Sequence, residues 1–318
     1  MSKRLTVVYP HGFCSGVARA VAAAEAVLAR FRGETVYCLH EIVHNRQVVD
    51  GLAARGMVFV GQVEAVPPGG LLLLSAHGVS PEVVRQASAR GLRVIDATCP
   101  FVAKVHAEVR RFAAEGACVV CIGHRRHEEV VGVAGEAPEH VRVVESAAEA
   151  EDLALPEGAP VAVVTQTTLG EEQVASVLAV VRRRFPELRL PASTDVCYAT
   201  RNRQQAVRAL AGRCGRVLVL GSANSSNSQR LVETARAAGA EAELVSGLEG
   251  LDGLAWRADE SVGITSGAST PEGFLEAVLE RLRSRYGFPE PERLVAVEED
   301  SLVFRLPAMP SEGERRDG

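Results

Sequence analysis

Residues 96–106 read DATCPFVAKVH, and this stretch carries the plan of the whole chain. Cys99 stands directly before Pro100, and an amphipathic helical pattern follows over 102–114. Proline is comfortable at a helix start, where its missing N–H would have had no partner anyway. Working outward, the same arrangement recurs twice. GFCSGVARAV at 12–21 places Cys14 before a helical pattern at 17–31, and DVCYATRNRQQAV at 195–207 places Cys197 before one at 202–211. A further helical pattern covers 272–286, and short apolar runs of strand length stand at 5–9, 71–74, 161–164, 217–220 and 262–264. Strands alternating with helices predict an α/β protein with mostly parallel sheets.

The alternation has a longer period. After each cysteine and its helix, a strand ends in a polar loop: HEIVHN with His44, GHRRHEE with His127, and GSANSSNS with Ser225. More helix and strand follow, and then a second polar loop: SAHGVS with His77, TQTTLG with Thr167, and TSGAST with Ser269. The identities differ while the order of parts repeats, which predicts three related α/β units. We divide them at 1–98, with the N-terminal strand, 99–196 and 197–288. A tail at 289–318 carries a strand-like run at 301–304, is expected to pack back on the body, and ends in residues expected to be disordered. Ligands of open α/β sheets bind beyond the carboxyl ends of strands. Three units sharing a pseudo-threefold axis would therefore bring three cysteines and six polar loops to one place.

Composition narrows the chemistry. With 47% hydrophobic and 24% charged residues the chain is an ordinary globular protein. No apolar run approaches a membrane span, and the N-terminus lacks a signal-peptide core, so a cytoplasmic protein is expected. A net charge of −5 and 4% aromatic residues argue against nucleic acid.

Seven cysteines without an export signal read as thiols or metal ligands. Cys14, Cys99 and Cys197 each precede a helix, whose unpaired N–H groups and positive dipole end favour thiolate. Cys14 also lies between Gly12 and Gly16, which let a bulky ligand approach the backbone. Three thiolates suit a four-iron cluster with one iron open to substrate. Zinc is the competing metal, but the spacing matches no zinc ribbon or finger. Cys118 and Cys121 form a C-x-x-C pair in a strand-like run, where they face opposite sides of a sheet. They read as core, like Cys38 and Cys214. The fold expected is a trefoil of α/β units around one central [4Fe-4S] cluster.

The polar loops suggest what the cluster acts on. SANSSNS before a helix exceeds the needs of an N-cap and makes an anion cradle. Without a Walker lysine, nucleotide hydrolysis is disfavoured and a small phosphate ester is favoured. His44, His77 and His127 stand at strand ends, where imidazole adapts its charge near neutral pH. His11, His40, His106, His124 and His140 read as structural or surface. A carboxyl in the 123–131 loop could carry protons, and Glu128 and Glu129 both stand there.

These segments resemble the 4-hydroxy-3-methylbut-2-enyl diphosphate reductase family of the non-mevalonate isoprenoid pathway. GFCSGV, HEIVHN, SAHGVS, DATCPFVAKVH, TQTTL, CYATRNRQ, GSANSSNS and TSGAS occur in the family's order over nearly the whole chain. The resemblance implies Cys14, Cys99 and Cys197 as cluster ligands, with His44, His77, Ser225, Ser226, Asn227 and Ser269 holding the diphosphate. It implies His127, Thr167 and Glu129 at the substrate's hydroxyl end, with Glu129 selected as proton carrier. The implied reaction removes that hydroxyl reductively, giving isopentenyl and dimethylallyl diphosphate, with electrons from a ferredoxin or flavodoxin. His11 stands where the family usually has arginine and Ala18 where it often has an acid. Arg125, Arg126, Glu128 and Val131 alter the loop around Glu129. Two other readings are a hydratase-like cluster enzyme on another small diphosphate and a non-catalytic cluster protein. Proton-delivery groups favour an enzyme over a carrier.

Overall fold

The structure is a computed structural model that describes residues 3–299 and 302–310. The chain begins β1 (Arg4–Tyr9), α1 (Ser15–Arg30), β2 (Val36–Leu39), α2 (Arg46–Ala54), β3 (Met57–Val60), β4 (Leu71–Leu74), α3 (Pro81–Ala89) and β5 (Arg93–Asp96). It continues through α4 (Pro100–Ala114), β6 (Cys118–Ile122), α5 (Glu128–Ala134), β7 (Val141–Val144), α6 (Ala147–Glu151), β8 (Val161–Thr165) and α7 (Glu171–Arg184). The last stretch is α8 (Tyr198–Ala211), β9 (Arg216–Leu220), α9 (Ser226–Ala237), β10 (Glu241–Val245), α10 (Glu249–Asp252), β11 (Ser261–Ser266), α11 (Glu272–Tyr286) and β12 (Glu292–Val295).

Two compact units emerge. One holds a five-stranded sheet ordered β10-β9-β11-β1-β12. The other holds two sheets, ordered β3-β2-β4-β5 and β7-β6-β8, and in the latter an isolated parallel bridge joins Ala162 of β8 to Arg189. Every strand pair is parallel, which fits near-continuous apolar strands such as LLLL and CVVCI, buried on both faces.

The three sheets repeat one order. A first strand (β2, β6, β9) lies between a second (β3, β7, β10) and a third (β4, β8, β11). Beside the third comes the segment that leads into the next cysteine: β5 before Cys99, the Arg189 bridge before Cys197, and β1 before Cys14. This corrects one expectation. The N-terminal strand, grouped by sequence order with residues 1–98, pairs with β11 and β12 in the last sheet. Its residues require that: Leu5 and Val7 join one apolar layer with Leu218 and Ile264, while Val8 joins the opposite layer with Val217 and Val219. A strand apolar on both faces needs a central place, and each such side chain withdrawn from water stabilises by about 1.5–3 kcal/mol.

The tail returns through β12, where Val7 pairs with Arg293 and Tyr9 with Val295. Residues 302–304, expected as strand, are irregular, and Ser301 lies outside the described residues. So do 311–318, where disorder was expected. Among the described residues no helix is long and apolar enough to cross a membrane.

Candidate functional site

The three helix-start cysteines share one backbone arrangement. Cys99 N–H donates to Ala76 O at 2.9 Å, Cys197 N–H to Thr167 O at 3.1 Å, and Cys14 N–H to Ala268 O at 3.1 Å. Ala76, Thr167 and Ala268 occupy the loops after β4, β8 and β11, so each cysteine is tied to the end of the third strand of its sheet. The N–H of the same residue reaches the loop after the first strand. Ala76 N–H donates to Ile42 O at 3.1 Å, Thr167 N–H to Glu129 Oε1 at 2.7 Å, and Ala268 N–H to Asn227 Oδ1 at 2.8 Å. The result is a relay, built three times, from first loop through second loop to cysteine.

Burial separates the cysteines into two classes. Cys14, Cys99 and Cys197 are half-buried and free of disulfides, whereas Cys38, Cys118, Cys121 and Cys214 are buried. Cys121 lies with Val119 in one apolar layer while Val120 and Ile122 join the other, so alternation puts Cys118 and Cys121 on opposite faces, as the sequence predicted. Burial pushes the thiols of Cys38 and Cys121 up, and nearby carboxylates add to this, so both remain unreactive core groups.

In the unit holding β2 to β8, α5 begins at the GHRRHEE loop. His127 is its N-cap, its Nδ1 accepting the Glu129 N–H at 3.2 Å. That bond uses the Nδ1 lone pair, so the proton of the neutral ring sits on Nε2 as a donor. Glu129 is 2% exposed. It accepts the Thr167 N–H and, at 3.0 Å, the Thr167 hydroxyl. Desolvation raises its pKa, outweighing the two Thr167 bonds and the charges of His77 and His106 that work the other way. Glu129, His127 and Thr167 thus form one cluster beside the Cys197 tie.

Glu128 departs from the pairing its neighbours suggest. Arg125 pairs with Glu145 at 3.3 Å and Glu149 at 2.8 Å. Glu128 instead lies 2.9 Å from Nδ1 of His77 and 3.8 Å from Nδ1 of His40, a residue with a φ of 58°. His77 meets the edge of the His127 ring with centroids 5.8 Å apart. His106, read as structural, is a buried partner of Glu136 at 2.6 Å.

The other unit gathers His44, Ser225, Ser226, Asn227 and Ser269. Ser225 caps α9 by accepting the Ser228 N–H at 3.3 Å. Ser226 is the first helical residue, and Ser269 Oγ donates to His44 O at 2.9 Å. Asn227 is 4% exposed. Because its Oδ1 receives the Ala268 N–H, the amide orientation is fixed, and the buried Nδ2 has no partner among the described residues. A buried, unsatisfied donor at a helix N-terminus is what an anion site offers.

Three supporting features were not legible in the sequence. Ser228 is fully buried between the ends of β9 and β11, and a Cβ at Gly221 or Gly267 would fall 2.2 Å from its hydroxyl. Asp195 is a buried carboxylate that accepts the Thr165 N–H at 3.0 Å and Lys104 at 2.9 Å, seating the segment before Cys197. Arg203 is a wholly buried cation whose donors reach the carbonyls of His11 and Gly12. In the sequence Asp195 follows Ser193 and Thr194, and Arg203 stands in the polar run TRNRQQ, so both read as surface charges.

Comparison with known proteins shows the family and the fold. The model of the LytB protein family matches residues 5–283. A Mycobacterium bovis protein named 4-hydroxy-3-methylbut-2-enyl diphosphate reductase 1 is 48% identical over 307 residues, 96% of this chain and 90% of the relative. The Mycobacterium ulcerans reductase of that name is also 48% identical over 307 residues, 96% of this chain and 91% of the relative. Among solved structures, the E-1-hydroxy-2-methyl-but-2-enyl-4-diphosphate reductase of Plasmodium falciparum superposes with a TM-score of 0.91 at 34% identity, covering 96% of both chains. A second, described as the terminal enzyme of the non-mevalonate pathway, gives 0.62 at 32% identity over 89% of this chain and 99% of its own. The α/β units inferred from the repeated cysteine pattern are therefore those of a known fold, and the chain belongs to the LytB protein family.

Proposed function

We propose that the chain reduces 4-hydroxy-3-methylbut-2-enyl diphosphate to isopentenyl and dimethylallyl diphosphate, the last step of the non-mevalonate isoprenoid pathway. The observation that carries this reading is Glu129, a buried carboxyl of raised pKa fixed by Thr167. A reductive dehydroxylation needs two electrons and protons, with the hydroxyl leaving as water. A carboxyl whose pKa is raised by burial holds its proton to higher pH than a free one and is suited to deliver it.

The donor set fits an iron–sulfur cluster. Three half-buried thiols stand at helix starts with their backbone N–H groups engaged, while the remaining four are sealed in the core. Cys14, Cys99 and Cys197 would hold one [4Fe-4S] cluster, which supplies electrons one at a time and a Lewis-acidic iron for the substrate hydroxyl. The protein's own groups do the rest. Asn227 Nδ2 and the hydroxyls of Ser225, Ser226 and Ser269, with His44 and His77, bind the diphosphate. His127 donates from Nε2, Thr167 orients the Glu129 carboxyl, and Glu129 gives up its proton from a carboxyl oxygen. A ferredoxin or flavodoxin would supply the electrons, and seven cysteines outside any disulfide suit the reducing cytoplasm.

The test is anaerobic turnover of the allylic diphosphate with a reduced donor. Wild type should form both isoprenoid diphosphates. An iron-loaded protein that binds the substrate without reducing it would overturn the reading.

A further inference from the structure

Arg203, on α8, is 1% exposed, and a buried guanidinium is costly unless an anion answers it. Its visible partners are mostly neutral. Nη2 donates to Gly12 O at 2.7 Å and His11 O at 3.5 Å, and Nη1 to Ala199 O at 3.3 Å. Glu299 Oε2 lies 3.5 Å from Nη1, at the long end of an ion pair and partly in solvent. Nε is buried with no partner among the described residues. The surroundings add little negative charge. Glu272, 3.8 Å from His11 Nδ1, is largely exposed. His11 is held neutral down to about 4 by burial and by the charges of Arg203 and Arg293. It contributes no charge near neutral pH. A cation is thus buried in contact with the backbone that leads into Cys14, with its counter-charge incomplete among the described residues.

We propose that Arg203 is a positioning residue for Cys14 and the buried counter-charge of the iron–sulfur group, clamping the His11 and Gly12 carbonyls and favouring the cluster's more negative, reduced state. The inference rests on the cluster reading above. Cluster potential follows net charge around the sulfurs, and Arg203 supplies charge while holding the His11 and Gly12 carbonyls that lead into Cys14. Gly12, at a φ of +69°, turns the chain so that its carbonyl meets the guanidinium.

The experiment compares wild type, Arg203→Lys and Arg203→Met. Amide exchange of Cys14 is read in the metal-free full chain, and the cluster midpoint is read by anaerobic EPR titration. In Arg203→Met, Cys14 exchange should accelerate at least tenfold, while amides of β9 stay protected. Its reduction equilibrium should shift about tenfold toward the oxidised state, about 59 mV for one electron. Arg203→Lys should keep most of the wild-type potential and loosen the loop less. Wild-type exchange in Arg203→Met would overturn the clamp, and an unchanged midpoint would overturn the counter-charge. If Arg203→Met loses protection throughout β9, Arg203→Lys decides: wild-type Cys14 exchange there overturns the clamp, and a midpoint as low as a tenfold shift overturns the counter-charge. A wild type that takes up no iron refutes the cluster reading instead, and Cys14 exchange still tests the clamp.

Discussion

The loops after β6 and β9 start from one backbone plan and end in different chemistry. In each, a capping residue precedes the helix, His127 or Ser225, and the second helical residue reaches across to the neighbouring loop. In the first that residue is Glu129, in the second Asn227, and each accepts the N–H of the residue whose carbonyl holds a cysteine. The loop after β2 makes the same link with a backbone carbonyl, Ile42 O. The scaffold therefore needs only an acceptor at this point. What the side chain has beyond the acceptor sets the two apart: Glu129 has a titratable carboxyl of raised pKa, and Asn227 an N–H donor with no partner among the described residues.

The comparison breaks most visibly if the proton is removed. Glu129→Gln retains an acceptor for Thr167, so the cysteine tie and the cluster should persist. Anaerobic turnover should fall by about 10²–10⁴-fold, the usual contribution of a general acid. Near-normal turnover would assign the proton elsewhere, with Glu128 beside His77 the next candidate; Glu128→Gln should cost much less. Removing the donor instead, in Asn227→Ala, should weaken binding of the diphosphate. A hydrogen bond to a charged group is worth about 1.5–3 kcal/mol, or about ten- to a hundredfold in affinity. Calorimetry with the substrate measures this, and wild-type affinity would place the cradle away from α9.

Stability against pH sharpens the contrast. Glu129 has a folded pKa above its ordinary 4.5. Its contribution is therefore full below 4.5 and is lost as pH rises through the higher folded value. Denaturant melts should show Glu129→Gln gaining on wild type as pH rises, whereas Asn227→Ala should differ by a constant offset. A flat difference for Glu129→Gln would mean the carboxyl is not desolvated in solution. His11 has the opposite sign. Its pKa falls from 6.5 to about 4, so its contribution is present above 6.5 and is lost as pH falls from there toward 4. The smallest effect belongs to the core thiols: Cys121→Ala should cost about 1 kcal/mol for a small cavity and leave iron content unchanged.

Much of this was legible in the sequence because it repeats. Three cysteines before helices, each followed by two polar loops, revealed the α/β units, and strand alternation sorted Cys118 from Cys121. The place of β1 was not legible, because pairing with β11 and β12 joins the two ends of the chain and nothing local marks it. Residues 302–304 of the strand expected at 301–304 are irregular for a similar reason: an apolar run reads as strand, but β12 at Glu292–Val295 takes the edge beside β1. Glu128 facing His77, and Arg203 beneath the Cys14 approach, depend on long-range packing that no motif encodes.

The central claim is that Cys14, Cys99 and Cys197 hold one cluster. The direct measurement is metal content with Mössbauer spectra of anaerobically purified wild type beside single Ser variants of these three and single Ala variants of Cys38, Cys118, Cys121 and Cys214. The account predicts about four iron per chain in wild type and in the four core variants, and loss of the intact cluster in each of the three others. Stoichiometric zinc in wild type, or full iron in Cys14→Ser, Cys99→Ser and Cys197→Ser, would contradict it.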